Sequence, residues 1–395
     1  MLLKMKKLPT LYKLDSKGKT REWNIVVEND SFWTESGIVG MKMNVSKPTN
    51  CKGKNIGRSN ETSSVEQALA EAEAKWESKR KSGYTQDKDS VKDKKFYEPM
   101  LAHTYEKNKT ELKFPVFTQP KLDGIRCIIS KENGKLIAKT RNGRQIDSIP
   151  HILRDVQTLF GQDDNLILDG ELYNHDLKEN FNKITSLVRK QKPQRTSSDT
   201  EASFDKKEAD FEEHLNESSK LIQYWIYDSP RIAGFAEDMD FSVRQETLST
   251  LLSFSSSVVL VPTTEVHALH SLDNIYERYL ADGYEGKMIR LDKPYENKRS
   301  KSLLKRKEFQ DAEYKVLDID EGNGNRKGTA KHLVCICSKT NKVFHSNIKG
   351  DFEYLKEILE NKDNYIGKYA TIKYFQLTPD GIPRFPYALS FRDYE

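Results

Sequence analysis

The sequence predicts an α+β chain of three domains, and three observations carry that reading. Short runs with alternating apolar and polar residues recur along most of the 395 residues. A few longer stretches rich in Ala, Glu, Lys or spaced leucines read as helices between them. The texture also changes twice, which sets domains at residues 1–84, 98–309 and 310–395 with a polar linker at 85–97.

The first domain opens with short strands, "LYKLD", "REWNIVVEN" and "FWTESGIVGMKMNV", and closes with a helix from Ser64, "SVEQALAEAEAKWESKRK", ended by Gly83. "TQDKDSVKDKK" is the linker. The second domain mixes strands ("PVFTQPKLD", "IRCIIS", "LIAKTRN", "LILDGELYN", "LIQYWIYDS", "KMIRLD") with helices at "SIPHILRDVQTLF" and "SVRQETLSTLLSF". Within it, "QKPQRTSSDTEASFDKKEADFEEHLNESSK" has almost no apolar spacing and reads as a mobile or partly helical surface insertion. From Gln310 the strands "AEYKVLDID", "HLVCICSK", "VFHSNIK" and "YATIKYFQL", broken by one helix at "FEYLKEILENK", fit a small closed or partly open β-barrel. The glycine-rich "GNGNRKG" lacks Walker spacing and reads as a turn.

Charged residues make up 32% of the chain, but 10% aromatics argue for a folded protein with a polar surface rather than disorder. The start, "MLLKMKKLPT", has no apolar segment of signal length, and no stretch reaches the roughly 18 apolar residues of a membrane span. An intracellular protein without membrane contact is expected. Cys51, Cys127, Cys335 and Cys337 read as free structural thiols; the last two share a strand face without zinc-knuckle spacing. The net charge of +5 is unevenly spread. Residues 41–60 carry Lys42, Lys47, Lys52, Lys54 and Arg58 with no acid among them, a cationic surface suited to a polyanion.

Chemistry concentrates in "FTQPKLDGIRC", residues 117–127. Lysine becomes a nucleophile only when its surroundings help it lose a proton, and Lys121 has candidates nearby. Asp123 can orient the ammonium or a metal-bound water, Gly124 lets the backbone pass closely, and Arg126 offers a bidentate fork for phosphate or sugar oxygens. Further pieces follow in order. Arg141 lies in "KTRNGRQI", Glu171 ends the apolar strand "LILDGELY", and Trp225 and Tyr227 stand in "QYWIYDSP". Glu285 follows in "GYEGKMIR", and "SLLKRKEF" projects Lys305 and Lys307 from one strand face with Arg306 on the other.

This ordered set resembles the covalent nucleotidyltransferases: ATP-dependent DNA ligases, RNA ligases and mRNA capping enzymes. The tail "YATIKYFQLTPDGIPRFPYALSFRD" and the hairpin "DAEYKVLDIDEGNGNRKGTAKHLVCI" are similar to the terminal barrel of ATP-dependent DNA ligases, so the resemblance spans residues 98–395. It implies an adenylyltransferase domain of ATP-grasp-like antiparallel sheets followed by an OB-fold. It also implies a monomer that seals 5′-phosphate/3′-hydroxyl nicks in duplex DNA through lysyl-AMP. In that scheme Lys121 attacks ATP, and Lys305 and Lys307 neutralise its α-phosphate. Arg126 and Glu171 grip the ribose, and Arg141 lies near the phosphate or the nick 5′ end. Tyr227 stacks on adenine, Gln119 reads the amino edge of the base, and Glu171 and Glu285 surround Mg²⁺ or Mn²⁺. Lys287 departs from the pattern, standing where family members often carry an apolar residue.

The N-terminal domain resembles the WGR module found beside DNA-break enzymes, through Trp23, "NIVVEN", the "SGIVG" turn and the closing helix, although Gly-Arg does not follow the tryptophan. There the lysines of residues 41–60 would contact DNA phosphates. An RNA ligase with the same lysyl-AMP chemistry, or a catalytically silent nucleic-acid scaffold, are the competing readings. The intact Lys121, Glu171, Glu285, Lys305 and Lys307 argue against the scaffold, and the barrel tail argues against the RNA ligase.

Overall fold

The structure is a computed structural model that describes residues 5–15, 18–92, 97–161, 165–195, 199–232, 238–252 and 255–392. The linker expected at 85–97 and the ends of the quoted segments reaching Phe254 and Asp393 therefore lie partly outside the described residues. The chain forms two compact units, Met1–Lys95 with Phe309–Glu395, and Phe96–Glu308. The N-terminal domain and the terminal barrel each keep their own apolar cluster but fall in the same unit.

In the N-terminal part, Thr20–Glu28 and Ser31–Ile38 form a long antiparallel hairpin extended by shorter strands. Alternation along the first strand sends Trp23, Ile25 and Val27 to one face, where they pack with Ala68, Ala72 and Trp76 of the helix Ser64–Lys81. That helix starts where the sequence places it because Ser63 and Glu66 form a reciprocal capping box. The indole of Trp76 donates to the Pro9 carbonyl at 2.7 Å, which ties the helix to the sheet.

Five strands, Gln310–Glu321, Ala330–Cys337, Lys342–Ile348, Tyr387–Arg392 and Tyr369–Tyr374, close into a barrel in that order, the third and fourth meeting through the parallel pairs Asn347–Tyr387 and Ile348–Ala388. The helix Phe352–Glu360 packs Leu355 and Ile358 into the barrel core, and Cys335 and Cys337 lie in the same core as free thiols. "GNGNRKG" forms the turn between the first two barrel strands. Asn325 in this turn accepts a hydrogen bond from the backbone N–H of Lys47 at 2.8 Å, joining it to the N-terminal sheet.

The second unit contains two five-stranded sheets. One runs Lys135–Thr140, Ile125–Glu132, Ile167–Tyr173, Gln223–Arg231, Val258–Leu260; the other runs Thr264–Val266, Val116–Lys121, Gly286–Arg290, Arg299–Lys307, Leu101–Thr104. Each is antiparallel apart from one parallel pairing at an edge. Of the segment read as a mobile or partly helical insertion, residues 201–220 lie in a 21-residue helix, Glu201–Leu221, in keeping with the partly helical reading. Thr200 caps it, and its Ala, Glu and Lys content favours the helix even though only Phe211 and Ser218 are buried. His214 and Glu217 fasten it to the helix Phe181–Arg189 through the Leu187 carbonyl and Lys183. That helix, and Leu269–Ala281, were not singled out in the sequence. Among the described residues, no helix is long and apolar enough to cross a membrane.

Candidate active site

Strand register assembles the site. In the second sheet Gly286 lies between Lys121 on one neighbouring strand and Lys307 on the other, and Met288 lies between Gln119 and Lys305. Because side chains alternate, Gln119, Lys121, Lys305 and Lys307 share one face, while Lys287 and Arg306 take the other. Arg306 stacks 4.1 Å from the Tyr276 ring centroid and pairs with Asp273. Gly286 is required by closeness: a Cβ there would lie 2.2 Å from the Arg306 carbonyl oxygen. Gly124 serves similarly between the sheets, since a Cβ would meet the Leu172 carbonyl at 2.3 Å and the Glu171 side chain at 2.8 Å. Lys121 therefore arrives beside Glu171.

A cavity of about 230 Å³ is lined by Lys121, Arg126, Arg141, Glu171, Tyr227 and Lys305. Lys121 Nζ donates to Oε2 of Glu285, and Lys307 Nζ reaches Oε1 of the same carboxylate at 3.0 Å. Burial disfavours the Lys121 ammonium, yet Glu285 in contact and Glu171 and Asp123 beyond hold its pKa above the ordinary lysine value. Burial also acts on Glu285, but Lys121 and Lys307 outweigh it and keep this carboxyl below the usual range. Glu171 is different. Burial pushes it up to about 8 despite Lys121 and Arg126, and Tyr227 donates to it from a long 3.4 Å. Burial, then Lys121 and Lys307, lower the pKa of Lys305, so its charge is held near other cations.

Two residues expected to meet the ligand hold protein partners too, and both line the cavity. Gln119 was expected to read a base edge, but its Nε2 donates to Tyr227 O at 3.1 Å and Thr263 Oγ1 at 2.9 Å, while its Oε1 accepts from Arg290 Nε at 2.9 Å. It lines the cavity as well. Arg126 was expected to grip a sugar, but it forms a fork on Asp169, with Nε at 2.9 Å, and donates from Nη1 to the Met100 carbonyl at 2.6 Å. The guanidinium carbons of Arg126 and Arg290 each lie 5.5 Å from the Tyr227 ring centroid, and Tyr227 lines the cavity. Arg141 is exposed at the cavity.

The supporting polar residues were not anticipated. Asp169 is fully buried and takes Arg126 and the Tyr295 hydroxyl; Asp228, equally buried, takes Arg244 and Arg290. A signal for Asp169 did exist, since it stands two residues before Glu171 in an otherwise apolar strand and so shares its face. The basic run is also less free than its composition implied. Lys42, Lys47, Lys52 and Arg58 are exposed, but Lys54 pairs with Glu71 of the closing helix at 3.0 Å.

Residues 99–307 match the family model described as ATP dependent DNA ligase domain. The DNA ligase of African swine fever virus (isolate Pig/Kenya/KEN-50/1950) is 24% identical over 392 residues, covering 92% of this chain and 83% of the viral protein. The DNA ligase of Enterobacteria phage T4 is 25% identical over 305 residues, covering 68% of this chain and 62% of its own. In fold, the chain is similar to a Lig E DNA ligase with a TM-score of 0.57 at 23% identity, over 75% of this chain and all of that one. It is also similar to the solved structure described as Pmar-Lig_Pre, with a TM-score of 0.59 at 20% identity, over 76% of this chain and 68% of the other. The chain belongs to the family of ATP-dependent DNA ligases.

Proposed function

We infer that the protein seals 5′-phosphate/3′-hydroxyl nicks in duplex DNA and that Lys121 is its nucleophile. The observation that carries this reading is the contact between Lys121 Nζ and Glu285 beside a cavity that Lys305 also lines. Lys121 Nζ forms a bond to the α-phosphorus of ATP as the bond to the pyrophosphate oxygen breaks, and the ammonium proton leaves through the carboxylate already holding it. Lys305 and Lys307 stand on the same sheet face and oppose the negative charge that builds on the phosphate. The AMP then passes from Lys121 to the 5′-phosphate of the nick, and the 3′-hydroxyl displaces it to close the backbone. Tyr227 offers its ring to the base, and Glu171 is left to the ribose hydroxyls or a cation.

Magnesium or manganese fits the donor set. Glu171 is a buried carboxyl raised to about 8 with only a long hydrogen bond to Tyr227, so a cation nearby would favour its charged form. Glu171 and Glu285 would hold the ion, which when bound screens the phosphate charge.

We read the five-stranded barrel as an OB-fold that grips the duplex, supported by its closure and the helix before its last two strands. The N-terminal sheet and helix are read as a WGR-like phosphate grip, supported by the exposed Lys42, Lys47 and Lys52. The enzyme is taken to act as a monomer. Incubation with α-labelled ATP, followed by a chase with nicked DNA or nicked RNA, tests the assignment. The expected outcome is label on the protein that moves to nicked DNA and is released as AMP on sealing, and that is absent in Lys121→Ala. Label retained by Lys121→Ala removes the nucleophile assignment, and transfer to nicked RNA alone replaces DNA as the substrate.

A further inference from the structure

The outer face of the barrel brings together three metal-ligating side chains that share no residue with the Lys121 site. Asp320, His332 and His345 come from three neighbouring strands, and Asp320 and His332 are direct partners in the ladder. His345 lies opposite Val334, two residues along the strand from His332, which makes the two histidines diagonal neighbours on one face. Their inward-facing neighbours Ile319, Leu333 and Phe344 are in the barrel core, so the triad points outward by the same alternation. One ligand atom from each residue lies within 4.8 Å of the others.

We propose that Asp320, His332 and His345 form a binding site for a divalent transition-metal ion of the Zn²⁺ type. Asp320 Oδ2 lies 2.9 Å from His345 Nδ1 and 3.8 Å from His332 Nδ1. Tetrahedral zinc with bonds of about 2.0–2.1 Å places adjacent ligand atoms roughly 3.3 Å apart, between those two distances. Small side-chain rotations are enough to close the set around an ion. The main-chain positions are already fixed by the barrel ladder, so little ordering remains to oppose binding. Two imidazoles and one carboxylate suit Zn²⁺ and its first-row neighbours and are poor donors for Mg²⁺, which prefers oxygen. Three protein ligands leave one position toward solvent, where water completes the shell. The ion would join the hairpin of the first two barrel strands to the third, adding a cross-strand tie where the strands hold only backbone bonds and side-chain pairs.

The test is equilibrium dialysis of the full chain against Zn²⁺ in excess Mg²⁺, which occupies oxygen-only sites, with bound zinc measured by elemental analysis. The expected result is one Zn²⁺ per chain, with affinity at least about tenfold weaker in His345→Ala and again in Asp320→Asn. Replacing Zn²⁺ with Co²⁺ should give a visible absorption band in the parent that is lost in the His332→Ala/His345→Ala double variant. Lysyl-AMP formation, compared in all variants, reports that the protein remains folded. His345 is exposed, so its replacement leaves the barrel core unchanged. No Mg²⁺-resistant zinc in the parent, or zinc bound equally by the double variant, overturns the proposal and leaves the triad as a hydrogen-bonded cluster.

Discussion

Lys121 donates from Nζ to Oε2 of Glu285, so the proposed nucleophile rests as an ammonium in contact with the carboxylate proposed to take its proton. The same carboxylate takes Lys307 on its other oxygen, and the three charges hold one another in place.

Replacing Glu285 with Gln removes both the acceptor and the charge that raises the Lys121 pKa. Label transfer from ATP should fall by about 10²-fold or more, and the residual rate should reach its plateau at lower pH because the ammonium gives up its proton more readily. Rates of lysyl-AMP formation across pH check this. A profile that stays put or moves to higher pH would show that Glu285 does not govern the Lys121 proton.

Asp169 holds Arg126 in the wall beside the cavity with no exposure of its own side chain. Asp169→Asn leaves a buried guanidinium without its counter-charge and should destabilise the second unit by about 3–5 kcal/mol. Chemical denaturation followed by tryptophan fluorescence measures this. A change under about 1 kcal/mol would mean the fork is readily replaced by water.

Lys287 stands behind the site, fully buried, donating to the Leu272 carbonyl between the rings of Tyr105 and Tyr276. Burial, then Arg306, lowers its pKa from 10.5 to about 7. Below pH 7 both folded and unfolded chains hold this proton, and the burial penalty is fully present. Between about 7 and 10.5 the unfolded chain holds it alone, so stability rises with pH through that window, by up to about 5 kcal/mol from this group. Lys287→Met should flatten the rise, as read from melting temperatures at pH 7 and pH 9.5. Equal slopes in parent and variant would refute a neutral buried lysine.

The exposed Lys42, Lys47 and Lys52 provide a test of the N-terminal grip that leaves the fold intact. Their triple substitution by Ala should leave lysyl-AMP formation unchanged and weaken binding to nicked duplex. For each lysine–phosphate ion pair removed, the slope of log K against log salt should flatten by about 0.9. An unaltered slope would make the run a solvated face.

Local spacing made part of the site legible. In "SLLKRKEF" the period of two already separates Lys305 and Lys307 from Arg306, and Ser63 with Glu66 marks the helix start that the capping box provides. The helix at Glu201–Leu221 was harder to read, because its sparse apolar residues hid a helix held by propensity, a cap and a few side-chain ties.

By itself, the sequence determined which residues could meet on one strand face and the order in which the lysine, carboxylates and cations appear, since alternation and turn chemistry act over a few residues. The tertiary structure alone decided which distant partners their side chains hold. Gln119 meets Arg290, 171 residues away, and Arg126 meets Asp169, 43 residues away. Whether a polar group faces a nucleotide or a neighbouring side chain depends on pairings between distant strands, and those pairings form only when the sheets pack and exclude water.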